Sequence, residues 1–192
     1  MVQKYLLLLS IFTFIVFSPI YVMATPILEN GYLMGATGLE IGDDTYNVYF
    51  VDGTFNDIFQ NGVGLDFDTE AAARDASEAL IDQLFSEDDF FDTDPRYING
   101  IQANVSQIFT PFSFDLDVKS IIAANDRYIY RDFVVSGPSS IGADIDLTAI
   151  SYSVWANWEL VPPTPAPVPE PATMILLGSG LLGLFLCRKR YS

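Results

Sequence analysis

The chain has no histidine, a single cysteine (Cys187), and only nine lysines and arginines against 25 aspartates and glutamates. Without histidine there is no Ser-His-Asp or Cys-His nucleophile system, and the commonest zinc ligand is missing. One cysteine forms no intrachain disulfide, so the fold must rest on its apolar core, for which 15 Phe and 10 Tyr supply material. The shortage of basic residues disfavours nucleic acid and anionic lipid as partners, because the summed field repels polyanions. No Gly-rich phosphate loop opens a helix, since Gly62-Val63-Gly64 is too short a signal, and no internal repeat is present.

What the chain does have is concentrated at its two ends. Lys4 is followed by an apolar run from Tyr5 to Phe17 and then by Val22-Met23-Ala24, a small-residue cleavage pattern. Residues 1–24 therefore read as a signal peptide helix, with signal peptidase expected to cut after Ala24. At the other end Pro169-Glu170-Pro171 leads into an uncharged stretch, Ala172 to Cys187, and then into Arg188-Lys189-Arg190. A helix over the 17 residues between Glu170 and Arg188 reaches about 26 Å, close to the ~30 Å of a hydrocarbon core, so a transmembrane helix is expected over 172–187. Under the positive-inside rule Lys4, Arg188, Lys189 and Arg190 stay in the cytoplasm and the body of the chain lies outside it. Cys187 then sits inert at the membrane edge.

The run Val168-Pro169-Glu170-Pro171-Ala172-Thr173-Met174, the Gly-rich apolar segment and the basic cluster resemble the PEP-CTERM tail of exported proteins of Gram-negative bacteria. The resemblance implies a sorting motif at Pro169, Glu170 and Pro171, processed by an exosortase, a membrane cysteine transpeptidase of bacteria that make exopolysaccharide and biofilm. The same tail carries the alias of an ice-binding protein C-terminal domain. Ice binding itself calls for a flat array of regularly spaced threonines, and no Thr-x-Thr repeat is present. Within the body, the segments Tyr46 to Thr54, Ala79 to Gln83, Asp94-Pro95 and Thr110-Pro111-Phe112 resemble a recurrent group of small PEP-CTERM proteins with no established activity.

The body, residues 25–160, has the length of one domain and can bury roughly two-thirds of its unfolded surface. It holds five basic residues against 24 acidic ones, a net charge of −19. Tyr46 to Val51 alternates as a strand and stops at the Asp52-Gly53 turn. Asp68-Thr69 caps a helix from Glu70 to about Phe85, with Ala73, Ala76, Leu80 and Leu84 on one stripe. Gln107 to Phe114, Arg127 to Val135 and Ala149 to Leu160 read as further strands. The expected class is α+β: a mostly antiparallel sheet with one principal amphipathic helix, plus the two terminal helices. Residues 161–168 form a polyproline-like stalk holding the body roughly 25 to 30 Å from the membrane.

Carboxylates are the remaining chemistry. Asp66 and Asp68, Asp115 and Asp117, Asp144 and Asp146, and above all Glu87, Asp88, Asp89, Asp92 and Asp94 in an acidic loop, are oxygen-rich candidates for calcium, which takes six to eight oxygens. None continues into an EF-hand. The reading that these features favour is a non-enzymatic exported protein without a cofactor, anchored in the inner membrane as a precursor and then placed at the cell surface or in an exopolysaccharide matrix. Two alternatives are a calcium-dependent carbohydrate-binding module, stacking sugar on Trp155 or Trp158, and an acidic glycoside hydrolase using two facing carboxylates.

Overall fold

The computed structural model describes residues 24–85, 90–127 and 131–163. The chain divides into two units, Met1–Val161 and Pro162–Ser192, and the strands of the described residues lie in the first.

Eight strands form one sheet: β1 (Thr25–Glu29), β2 (Tyr32–Ile41), β3 (Asp44–Val51), β4 (Val105–Phe114), β5 (Asp117–Asp126), β6 (Arg131–Val134), β7 (Ser139–Gly142) and β8 (Ser153–Val161). Their order is β1-β2-β3-β8-β4-β5-β6, with β7 pairing β5 beside β6. All these strand pairs are antiparallel except β4 with β8. The last strand in the sequence is thus a central one. It pairs with β3 over seven positions, from Thr45 opposite Val161 to Val51 opposite Trp155, and joins β4 on its other side.

Register shifts at Ile27/Leu28, between Ala36 and Leu39, and between Pro111 and Ser113 insert bulges that add local twist, and the sheet curls into a half-barrel. The second bulge uses glycine for a reason. Gly38 sits at φ 78°, and a Cβ on Gly35 would collide with the Val48 carbonyl of the neighbouring strand.

Among the described residues three α-helices accompany the sheet: α1 (Phe55–Phe59), α2 (Glu70–Gln83) and α3 (Phe90–Thr93). The Thr69 hydroxyl caps α2 by accepting from Ala72 N at 3.3 Å, and Arg74 pairs with Glu70 one turn away at 3.2 Å. Ala73, Ala76, Ala79 and Leu80 bury one face of α2 against Leu39, Val48, Phe50, Ile108, Ile121, Val154 and Trp158. Small alanines let the helix lie close to the sheet. The opposite sheet face carries a second core in which Phe55 and Phe59 of α1, with Phe109, surround Trp155 at ring-centroid distances of 5.7, 6.0 and 5.6 Å.

The α+β expectation is therefore corrected: this is a mainly β fold, an eight-stranded curled sheet with one helix longer than two turns among the described residues. The physical reason lies in the strands that carried no alternation. β5 has buried residues on both faces, Ile121 in one core and Ile122 in the other, so the period of two disappears. β2 is interrupted by two glycines that serve its bulge. The expected signal helix and the transmembrane helix over 172–187 lie outside the described residues apart from Ala24; no described helix is long and apolar enough to cross a membrane.

Each tryptophan of β8 anchors one core, so Trp155→Ala and Trp158→Ala should each lower unfolding free energy by about 3 to 5 kcal/mol in denaturant titration. Leu116→Ala, at a side chain 88% exposed, should change it by less than about 0.5 kcal/mol.

Candidate functional site

The principal cluster of charged groups gathers where α3 meets the β5–β6 edge. Register sets Ser106 of β4 opposite Asn125 of β5, and Asn125 opposite Asp132 of β6. Paired residues on antiparallel strands point to one face, so these three form a polar row across three strands. Asn125 is 2% exposed; its Nδ2 donates to the Asp92 carbonyl at 2.6 Å and to Asp92 Oδ1 at 3.4 Å. This places the Asp92 carboxylate beside Asp132. Burial first, then the hydrogen bond to Asp92 and its negative charge, push Asp132 up to about 7. Below about pH 7 the two carboxyls share a proton, which Asp132 donates to Asp92.

Asp94 has the reverse environment. It opens the 3-10 turn Pro95–Tyr97, and its carboxylate accepts from Arg96 Nε at 2.8 Å, Arg96 Nη2 at 2.6 Å and Arg127 Nη1 at 2.8 Å. The Arg96 hydrogen bond above all holds it below the usual carboxylate range, outweighing the burial that raises it. Arg127 is itself fixed by its backbone N–H donating to the Asn104 carbonyl at 3.1 Å.

Of the loop carboxylates read as calcium ligands, Asp92 and Asp94 are brought together here, and Glu87, Asp88 and Asp89 lie outside the described residues. Asp94 is committed to two guanidinium groups and Asp92 to Asn125 and Asp132. Among the described residues no three Asp, Glu, Cys or His side chains are placed to hold a metal ion. The other pairs serve local structure. Asp146 caps the turn Leu147–Ala149 by accepting from Thr148 N at 2.9 Å and its hydroxyl at 2.6 Å, and Asp144 accepts from Asn56 Nδ2 at 2.7 Å. Asp117 accepts from the Ser140 hydroxyl at 3.4 Å; Asp66, exposed at the surface but partly desolvated and close to the Glu159 charge, is pushed up.

Both tryptophans offered as sugar-stacking faces are core residues. Trp155 is fully buried and donates from Nε1 to the Gly53 carbonyl at 3.1 Å, and Trp158, 4% exposed, donates to Thr110 at 3.4 Å. Alternation correctly sends them to opposite faces, but both faces of this sheet are covered. Nor does the Asp92–Asp132 pair suit glycoside hydrolysis, whose two carboxyls stand about 5 to 9.5 Å apart to admit the sugar or a water.

Ala24 is buried against the helix-side core, directly before the first residue of β1. Pro169, Glu170, Pro171, Arg188, Lys189 and Arg190 lie outside the described residues. Their identity comes from comparison: residues 167–190 match the family model described as the PEP-CTERM protein-sorting motif. No curated protein and no solved structure matches the chain. The tail is thus a PEP-CTERM sorting signal, and it marks the chain as an exosortase substrate, exported as a membrane-associated precursor and sorted to the cell surface.

Sequence reading missed Asn125, Arg127 and Asp132 because they come from β5, the turn after it and β6, more than 30 residues from Asp92 in the chain. Their pH signature follows. Asp132 keeps its proton up to about 7 when folded but only to its ordinary 3.8 when unfolded. Its contribution to stability is fully present below that lower value and is lost as pH rises through 7. Asp94, shifted down, works oppositely, and its contribution is lost only in more acid solution. Melting temperature should therefore fall between about pH 5 and pH 8, and Asp132→Asn, which keeps a donor to Asp92, should flatten that slope and stabilise by on the order of 1 kcal/mol at the alkaline end, after discounting for solvent at a half-buried site.

Proposed function

We propose that the chain is a non-enzymatic exported protein. Signal peptidase removes residues 1–24; the 172–187 helix then holds the precursor in the inner membrane until exosortase acts near Pro169-Glu170-Pro171. The mature β domain remains at the cell surface or enters an exopolysaccharide matrix. One observation carries this reading: the sorting motif over residues 167–190. Its supports are the absence of histidine, the engagement of Asp92, Asp94 and Asp132 with one another and with Arg96, Arg127 and Asn125, and the termination of β8 at Val161, from which a proline-rich run leads to the motif. Pro162 and Pro163 bring no backbone N–H to a ladder, so the strand stops there and a stiff extended stalk takes over.

The test is the fate of a protein tagged between Val161 and Pro169, followed in wild-type and exosortase-deficient cells. Shortened, surface-exposed protein in the wild type and full-length, inner-membrane protein in the mutant is the expected result. Equal size and location in the two strains would remove exosortase from the account.

A further inference from the structure

A pocket of about 390 Å³ opens beside the Asp94–Arg96 pair, lined by Tyr32, Arg96, Asn99, Gly100, Ile101 and Gln102. Its walls are held from several sides. Ile98 bridges Leu33 of β2; Asn99 donates from its backbone N to the Leu33 carbonyl at 2.9 Å and from Nδ2 to the Phe50 carbonyl of β3 at 2.8 Å. Gln102 N donates to the Ser151 carbonyl at 2.7 Å. Gly100, at φ 78°, lies against the Asp52 carboxylate and Val154 so closely that a Cβ there would sit 2.6 Å from the valine methyl. The segment from Ile98 to Gln102 is therefore pinned before any ligand arrives, which lowers the ordering cost of binding.

Of two half-exposed aromatic rings beside this floor, Tyr32 lines the pocket and Tyr97, outside the lining, packs next to it. Tyr32 is 48% and Tyr97 44% exposed, with ring centroids 6.5 Å apart and planes inclined at 48°. Exposed tyrosines beside side-chain amides suit a ligand that has apolar ring faces and hydroxyls that both donate and accept. Charge narrows the class. A body of net charge −19 repels polyanions, and the Arg96 guanidinium is already engaged in a bidentate pair with Asp94. The cation in the lining thus presents a fork already taken up by a carboxylate, which disfavours bidentate capture of a uronate, sulfate or phosphate.

We propose that this pocket is a binding site for neutral hexopyranose chains, with one sugar face on Tyr32, Tyr97 closing its edge, and Gln102 and Arg96 contacting ring hydroxyls. No metal takes part. The site is separate from the Trp155 and Trp158 core and does not depend on how the tail is processed.

The experiment uses the full chain in a detergent without a sugar headgroup. Saturation transfer by NMR is measured to three probes, cellohexaose, mannohexaose and a β-galactohexaose. Transfer to at least one of them, strongest at the axial ring protons, and insensitive to chelator, is expected. Tyr32→Ala and Gln102→Ala should each weaken that binding by about five- to tenfold, the loss of one stacking contact or one hydrogen bond. The near-ultraviolet circular dichroism of the two buried tryptophans checks that the variants are folded. Absence of transfer to all three probes at millimolar concentration would overturn the proposal, as would unchanged binding in the folded Tyr32→Ala chain. A synthetic peptide of residues 161–169 is the competing ligand, since proline-rich segments also dock on exposed tyrosines; binding of that peptide in place of the sugars would equally reject it.

Discussion

The fold depends on one insertion: β8, last in the sequence, lies between β3 and β4 and joins a meander of three strands to the β4–β5 hairpin with its two short partners. Neither half closes its cores alone, because Trp155 and Trp158 come from β8 and each nucleates aromatic packing on a different face. The pairing of Thr45 with Val161 spans almost the whole domain, a long-range contact whose loop-closure cost makes folding wait for the last strand. The strand that closes the sheet ends at Val161, the last residue of the first unit, and the sorting motif follows in sequence at residues 167–190.

The same economy of arrangement governs the acidic excess. Few cations are present, and Arg96 and Arg127 both converge on Asp94. Asp132 is accommodated instead by retaining its proton against Asp92, and most of the remaining carboxylates face solvent or cap turns. A body of this kind is soluble and self-repelling, with polyanions kept away by its summed field.

What could be read from the sequence was whatever a local pattern encodes. The capped helix from Glu70, the Tyr46 to Val51 strand, the strand ending at Phe114 and the sorting motif each have periodicity or composition within a short window. The class of fold was not legible, since β5 is apolar on both faces and β2 hides its strand character behind Gly35 and Gly38. Alternation puts Trp155 and Trp158 on opposite faces of β8, so at least one of them belongs to a core; both do, because both faces of the sheet are covered. Asp92 and Asp94 drew notice as carboxylates, but their partners Arg127, Asn125 and Asp132 are set by register across strands, which no local spacing reveals.

The central claim is that the β domain is separated from its tail after export. Intact-mass measurement on protein recovered from the cell surface tests it most directly. The account predicts a chain that begins at Thr25, keeps Val161 and the end of β8, and terminates near Pro169-Glu170-Pro171. A surface protein whose mass includes every residue through Ser192 would contradict it.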